Sequence, residues 1–466
     1  MRYISTRGAA EPLDFRAATL AGLASDGGLY LPEYWPTLTQ EEISGLRGLS
    51  YAETAVRIML PFVGDTLTEA ELRAMCEAAY GRFSHAAVTP LVQLDQRHFL
   101  LELFHGPTLA FKDVALQFLG LLFEKFLAGT DQHLTIVGAT SGDTGSAAID
   151  ALAGREHVDV FMLHPVGRVS DVQRRQMTTV LAPNIHNIAI HGDFDQAQAL
   201  VKAMFNDAAF AGRFTLSAVN SINWARLMAQ VVYYFYAAVR LGAPERAVAF
   251  SVPTGNFGDV FAGYVAAQMG LPVAKLIVAT NVNDILHRAL SAGDYSAGTV
   301  TPTAAPSMDI QVSSNFERLL FDLGWRDGGA IAEQMRGFET TKAMRLTNAQ
   351  SEGAAALFAS DRVEPGDMAE AMRWACAEAG QVIDPHTAIG LAAARRADLP
   401  ADVPVVTLAT AHAAKFGDAV ERATGVRPAL PGRVGDLFDR EERYTTLDGS
   451  FAAVSGFIAE RAMPRG

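Results

Sequence analysis

Cysteine is nearly absent from this chain. Only Cys76 and Cys376 occur in 466 residues. They stand far apart without metal-ligand spacing, which excludes a disulfide framework and a cysteine-based metal module. Two free thiols suit a reducing compartment, so a cytoplasmic protein is expected. Charge is also sparse, at 19% of residues, and it is not basic: the formal net charge is -13. A nucleic-acid partner is therefore not expected, because its binding face needs an excess of lysine and arginine. A local positive pocket for a small anion remains compatible with that total. The longest charge-free apolar run lies between Arg226 and Arg240. It falls short of the roughly 20 residues that span a bilayer, so no membrane partner is expected. The opening residues, MRYISTRGAAEPLDF, lack the apolar core of a secretory signal. No internal repeat or low-complexity tract is present. What the chain does have is hydrophobic material, 50% of its residues, enough for large buried cores. Its length suggests about three domains or subdomains.

Residues 1–90 read as a mostly helical leading segment. In LTEAELRAMCEAAYGRF, Thr68 followed by Glu71 matches a capping box and predicts a helix start. The stretch SDGGLYLPEYWP reads as loop. From about residue 91 the pattern changes. The β-branched runs LTIV, VDVFML and HNIAI, and later RAVAFSV, KLIVAT and PVVTLA, alternate with helical stretches. That alternation predicts an α/β fold with mainly parallel sheets flanked by helices. We expect 1–90 to form an N-terminal domain and 91–466 a catalytic region of two α/β subdomains. The more charged, helical residues 330–380 read as a peripheral insertion.

Three places repeat one local grammar of strand, small polar turn and helix: 134–152, 247–268 and 404–423. In open α/β sheets such turns at strand carboxyl ends are where ligands bind. PTGNFGD is an anion cradle: Gly255 and Gly258 are expected to take positive φ and let backbone approach a phosphate, and a helix from about Gly258 offers free N–H groups. No lysine follows Gly258, which argues against a Walker loop. An ordinary glycine turn fits this segment equally well on its own. In GATSGDTGS, the hydroxyls of Thr140, Ser141, Thr144 and Ser146 suit a carboxylate, or simply cap the helix. In NSINWARL, Asn220 and Ser221 stand at a helix mouth with Arg226 two turns in, a set that suits a second phosphate; a capped helix with an exposed arginine is the plainer reading.

In FHGPTLAFKDVALQ, Lys112 opens a helix, VALQFLGLLFEKFL, that is apolar nearly all round and therefore predicted to be buried. A lysine normally keeps its ammonium in water, paired here with Asp113. A phosphate cradle, hydroxyl turns and a lysine in apolar company together point to pyridoxal 5'-phosphate. The amine of Lys112 would form the Schiff base, and desolvation would keep it nucleophilic.

The ordered segments YISTRG, DGGLYLP, LFHGPTLAFKD, VGATSGDTGSAA, NSINWARL, PTGNFGD, MDIQVSSNFERL, DPHTAIG and ATAHAAKF run nearly end to end. The chain that carries them resembles the long-type threonine synthase family, tryptophan-synthase-β-like pyridoxal phosphate enzymes of fold type II. The resemblance implies conversion of O-phospho-L-homoserine and water to L-threonine and phosphate by a carbon–oxygen lyase. It implies Lys112 as Schiff-base lysine and proton shuttle. Gly255, Asn256, Phe257, Gly258 and Asp259 would serve the cofactor phosphate, and Thr410 the pyridine nitrogen. Asp143 would stand near the cofactor's phenolic oxygen, where related enzymes often have asparagine. Thr140, Ser141 and Thr144 would take the substrate carboxylate, and Asn220, Ser221 and Arg226 the substrate phosphate. Ser314, Asn315 and Arg318 would line the pocket. Ala413 replaces a proline found in many relatives, which leaves His412 and Lys415 without assigned contacts. The implied assembly is a monomer or homodimer. A threonine or serine dehydratase, and a non-catalytic regulatory protein that binds the cofactor, are the alternatives on this scaffold.

Overall fold

Two mainly parallel sheets carry the fold of the computed structural model, which describes residues 1–217 and 219–465. Each sheet belongs to one of two units, Met1–His105 with Ser221–Pro428, and Gly106–Asn220 with Ala429–Gly466.

The first unit is built on six strands in the order Phe358–Arg362, Val273–Thr280, Val248–Pro253, Val405–Ala409, His98–Glu102 and Leu91–Gln93. All pairings are parallel except the last. The two central strands are buried along their whole length, which is why VAFSVP and VVTLA read as continuous apolar runs without alternation. The helices Gly258–Gln268 and Pro385–Arg396 follow from or cover these strands. Leading helices begin at Thr39/Glu42, Ser50/Glu53 and Thr68/Glu71 capping boxes. The first two pack on Trp224–Arg240, a helix buried over nearly its full length, and the third packs on the second. Tyr3, Trp35 and Phe62 all meet the Trp224 ring. The leading segment thus shares one core with residues 221–428.

Residues 330–380 do not form a peripheral insertion throughout. Phe358–Arg362 is a strand of the main sheet, paired parallel to Val273–Thr280. Ala371, Met372 and Ala375 of the following helix belong to the core beside it. The charged sequence of FASDR hid an edge strand, whose polar outer side chains are compatible with its position at the sheet margin.

The second unit carries five parallel strands in the order Thr445–Asp448, Ile185–His191, Val158–Pro165, Leu134–Ala139 and Thr215–Ser217. Here Lys112–Leu127 is buried on almost every side, as its composition predicts. It packs against Asp143–Leu152 so closely that a Cβ on Gly120 would lie 2.5 Å from the Ala151 carbonyl oxygen. Among the described residues, no helix is long and apolar enough to cross a membrane.

Candidate functional site

In the second unit the approach to Lys112 is set by its sequence neighbours. The Asp113 carboxylate accepts hydrogen bonds from the Thr108 backbone N–H at 2.8 Å and the Thr108 hydroxyl at 2.7 Å. Asp113 therefore closes the loop ahead of the helix. Leu109, fully buried, has φ of +64°, a left-handed conformation uncommon for a residue other than glycine. Lys112 itself is 9% exposed. Its Nζ lies 3.7 Å from Asp143 Oδ2 and 5.2 Å from the Phe111 ring centroid. The surroundings of the amine are thus not apolar alone: a carboxylate faces it.

Asp143 is the first residue of its helix, where the positive end of the helix dipole favours a carboxylate. Its other oxygen accepts a hydrogen bond of 2.7 Å from the Gln173 side-chain amide. Gln173 lies over Gly142, whose φ is +137° and where a Cβ would come within 2.4 Å of the amide carbon. Gly142 is required twice, for its backbone angle and for this contact. The Thr140 hydroxyl accepts from the N–H groups of Gly142 and Gly145, at 3.0 and 2.8 Å. Ser146 donates back to the Gly142 and Asp143 carbonyls. These two hydroxyls shape the turn. Ser141 and Thr144 are half-buried and stay outside that network. Asn220 is exposed at the end of this unit.

In the first unit, Thr254 to Phe257 join the Val248–Pro253 strand to the Gly258–Gln268 helix. The expected positive φ at Gly255 and Gly258 is not found; the left-handed residue is Phe257, at +64°. The burial of its ring against Phe316 and Phe358 holds it there. The glycines are needed for space. A Cβ at 255 would lie 2.4 Å from the Ser307 carbonyl oxygen, and one at 258 would lie 3.3 Å from Asn315 Nδ2. No side chain caps the helix that follows, so its first N–H groups suit an anion such as a phosphoryl group.

The Asp259 side chain turns to the protein interior. Its carboxylate accepts from the hydroxyls of Tyr233 and Tyr234, and burial pushes it up to about 7 against the opposing pull of those bonds. Only its backbone N–H is left to serve a phosphate. Asn315 and Arg318 are likewise structural. Asn315 donates from Nδ2 to the carbonyls of Asn256 at 2.9 Å and Ser221 at 3.1 Å. Arg318, fully buried, donates to the Tyr30 carbonyl at 3.0 and 2.8 Å, to the Ile222 carbonyl at 2.6 Å and to Asn315 Oδ1. Burial pulls its guanidinium down to about 9. Neighbouring Glu317 accepts from Thr6 and Arg7. The segments YISTRG, DGGLYLP, NSINWARL and SSNFERL therefore converge around the 254–258 turn. Ser313, rather than Ser314, reaches that turn, donating to the Gly255 carbonyl at 2.8 Å.

Arg226 is also displaced from expectation. Asn223 caps the helix, so Arg226 is its third residue, not two turns in, and it is buried at 3% exposure. Burial pulls it down to about 10, and it stays charged at neutral pH. Thr410, buried, follows the Val405–Ala409 strand. Despite Ala413, the next turn is formed: His412 Nδ1 accepts from the Ala414 N–H at 3.2 Å, and Lys415 is buried. Gln173, Ser307, Ser313 and His386 escaped the sequence reading, because none lies in a turn at a strand end; only DPHTAIG offered a signal, as a helix cap.

Comparisons with known proteins place the chain in a family. Residues 2–80 match the family model for the threonine synthase N terminus, 83–360 that for pyridoxal-phosphate dependent enzymes, and 387–458 that for the threonine synthase C-terminal region. A threonine synthase of Pseudomonas aeruginosa is 55% identical over 461 residues, covering 99% of this chain and 98% of that one. The crystal structure of PLP-bound threonine synthase from Brucella melitensis superposes with a TM-score of 0.96 at 51% identity, covering 99% of both chains. That of yeast threonine synthase gives 0.93 at 39% identity, covering 99% of this chain and 98% of the other. This chain belongs to the threonine synthase family of pyridoxal-phosphate-dependent enzymes.

Proposed function

We propose that this chain converts O-phospho-L-homoserine and water to L-threonine and phosphate, with Lys112 as its proton-transfer group. The observation that carries the reading is a buried lysine opening a buried helix, its amine facing a carboxylate fixed by Gln173. Bound pyridoxal phosphate supplies an electron-accepting ring that takes up negative charge from the substrate carbons. Lys112 would hold the cofactor aldehyde at rest and, once the substrate amine has displaced it, its free Nζ would take a proton from the substrate and return one later. The N–H groups of 255–259 serve the cofactor phosphoryl group, and the Thr410 hydroxyl serves its ring nitrogen. A neutral hydroxyl holds that nitrogen less strongly protonated than a carboxylate would. Ser141 and Thr144 hold the substrate carboxylate in a turn that Thr140 shapes. Arg226, with Asn220 and Ser221, holds the substrate phosphate and neutralises charge as it departs.

Residues 1–90 are read as the N-terminal domain and 91–466 as the catalytic region, without a separate insertion. The match of the N-terminal family model to 2–80 supports the first boundary. A cytoplasmic monomer or homodimer without nucleic-acid partners is the setting we infer; the free thiols and the acidic charge support it.

Phosphate release from phosphohomoserine, measured beside oxoacid release from threonine and serine, tests the activity. Phosphate should dominate, and dominant oxoacid release would make the chain a dehydratase. Lys112→Ala should lower turnover at least about a hundredfold and abolish the visible absorbance of bound cofactor, with the far-ultraviolet spectrum unchanged. An active Lys112→Ala protein would overturn the assignment.

A further inference from the structure

The segment DPHTAIG has no role in the reaction described so far, yet it places two buried, charge-capable side chains beside the phosphate turn's own support. We propose that His386, oriented by Asp384, is a positioning residue for the 254–258 turn. The inference rests on the reading of that turn as the cofactor phosphate site.

The chain of contacts is continuous within one unit. Asp384 caps the Pro385–Arg396 helix, accepting from the N–H groups of His386 at 2.9 Å and Thr387 at 3.3 Å and from the Thr387 hydroxyl. The same carboxylate lies 2.8 Å from His386 Nδ1. On the far side of the ring, the Ser307 N–H points at Nε2 at 3.3 Å. A backbone N–H can only donate, so Nε2 is the unprotonated nitrogen and Nδ1–H donates to Asp384. The ring edge of Phe416, at 4.9 Å between centroids, keeps the imidazole from turning. Ser307 lies in the short Pro306–Met308 helical turn, and its carbonyl oxygen is the atom against which Gly255 packs. The other end of that turn is tied down by Asp309, which accepts from the Thr303 N–H and hydroxyl and from Asn281, each at 2.7 Å. The Ala305 N–H adds a bond of 3.0 Å to the Thr303 hydroxyl, and His386 holds Ser307 itself, the residue whose carbonyl limits how far Gly255 can open.

The test uses the full chain, stripped of cofactor with hydroxylamine and titrated separately with pyridoxal phosphate and with pyridoxal, which lacks the phosphoryl group. Cofactor absorbance and thermal melting are both read. The wild type should prefer the phosphorylated compound. His386→Ala should cut that preference about tenfold, the loss of one buried bond, while pyridoxal affinity stays within about twofold. His386→Gln, whose amide oxygen reaches the Nε2 position, should restore most of it. If His386→Ala does not fold, Asp384→Asn, which weakens the orientation of the ring, should lower the preference in the same direction. An unchanged preference in the variants, or equal losses for both compounds, overturns the positioning role. No preference in the wild type overturns instead the reading of 254–258 as the phosphate site.

Discussion

Gly255→Ala isolates the role of space at the phosphate turn. Gly255 is not among the residues with positive φ, so alanine can adopt its backbone conformation. The same exchange at an open site would stabilise by about 0.4–1 kcal/mol through the unfolded chain. Here the new methyl carbon would lie 2.4 Å from the Ser307 carbonyl oxygen. Ordinary contact needs about 1 Å more, and the obstacle is backbone rather than the far end of a flexible side chain. Relief requires either the Pro306–Met308 turn or the 254–258 turn to move. The first loosens the Ser307–His386 bond, and the second misplaces the N–H groups of the helix start. Overpacking of this kind costs about 1–3 kcal/mol. If the cost falls on the turn, pyridoxal phosphate affinity drops about fivefold to 150-fold. Gly258→Ala is the internal control. Its Cβ would meet the Asn315 side-chain nitrogen at 3.3 Å, so even though Asn315 is held by its own bonds the shift required is only a few tenths of an ångström, and its effect should be several-fold smaller. Cofactor titration and thermal melting of both variants provide the measurement. A Gly255→Ala protein that binds cofactor and melts like the wild type would refute the steric argument.

Arg226→Ala should raise KM for phosphohomoserine about ten- to hundredfold, the loss of a charge-assisted contact to phosphate, and weaken threonine far less; equal losses would remove Arg226 from the phosphate site. Asp259→Asn tests the buried carboxyl. Burial raises it from the ordinary aspartate range to about 7, against the tyrosine bonds. Because the folded value lies above the unfolded one, ionisation weakens the fold as pH rises between them, and by a constant amount above both. Denaturant melts at about pH 5 and pH 8 should therefore show the wild type losing stability relative to Asp259→Asn, and a constant difference would contradict that sign. Gly120→Ala should destabilise by about 1–3 kcal/mol, since its methyl would meet the Ala151 carbonyl oxygen at 2.5 Å; an unchanged melting temperature would show that the two helices part without cost.

Much of this protein was legible in its residues because the signals are short in range. The capping box at Thr68 and Glu71 and the apolar helix after Lys112 involve neighbours a few positions apart. So do the β-branched runs that become the sheet strands. Fold class and the buried lysine followed from such patterns, and the ordered motifs carried the family. Other features depend on residues that only folding brings together. Lys112 faces Asp143, 31 positions along the chain, while Thr108 binds the adjacent Asp113 carboxylate. Phe257 bears the left-handed angle because a buried aromatic cluster holds its ring. FASDR becomes a strand because Val273–Thr280 offers its open edge. Arg318 and His386 act on the turn through partners dozens to hundreds of positions away. Composition and periodicity encode which segments must be buried and in what local shape. Which polar atoms end within hydrogen-bond reach is decided by packing, since a distance of one ångström between distant segments has no trace in their local sequence.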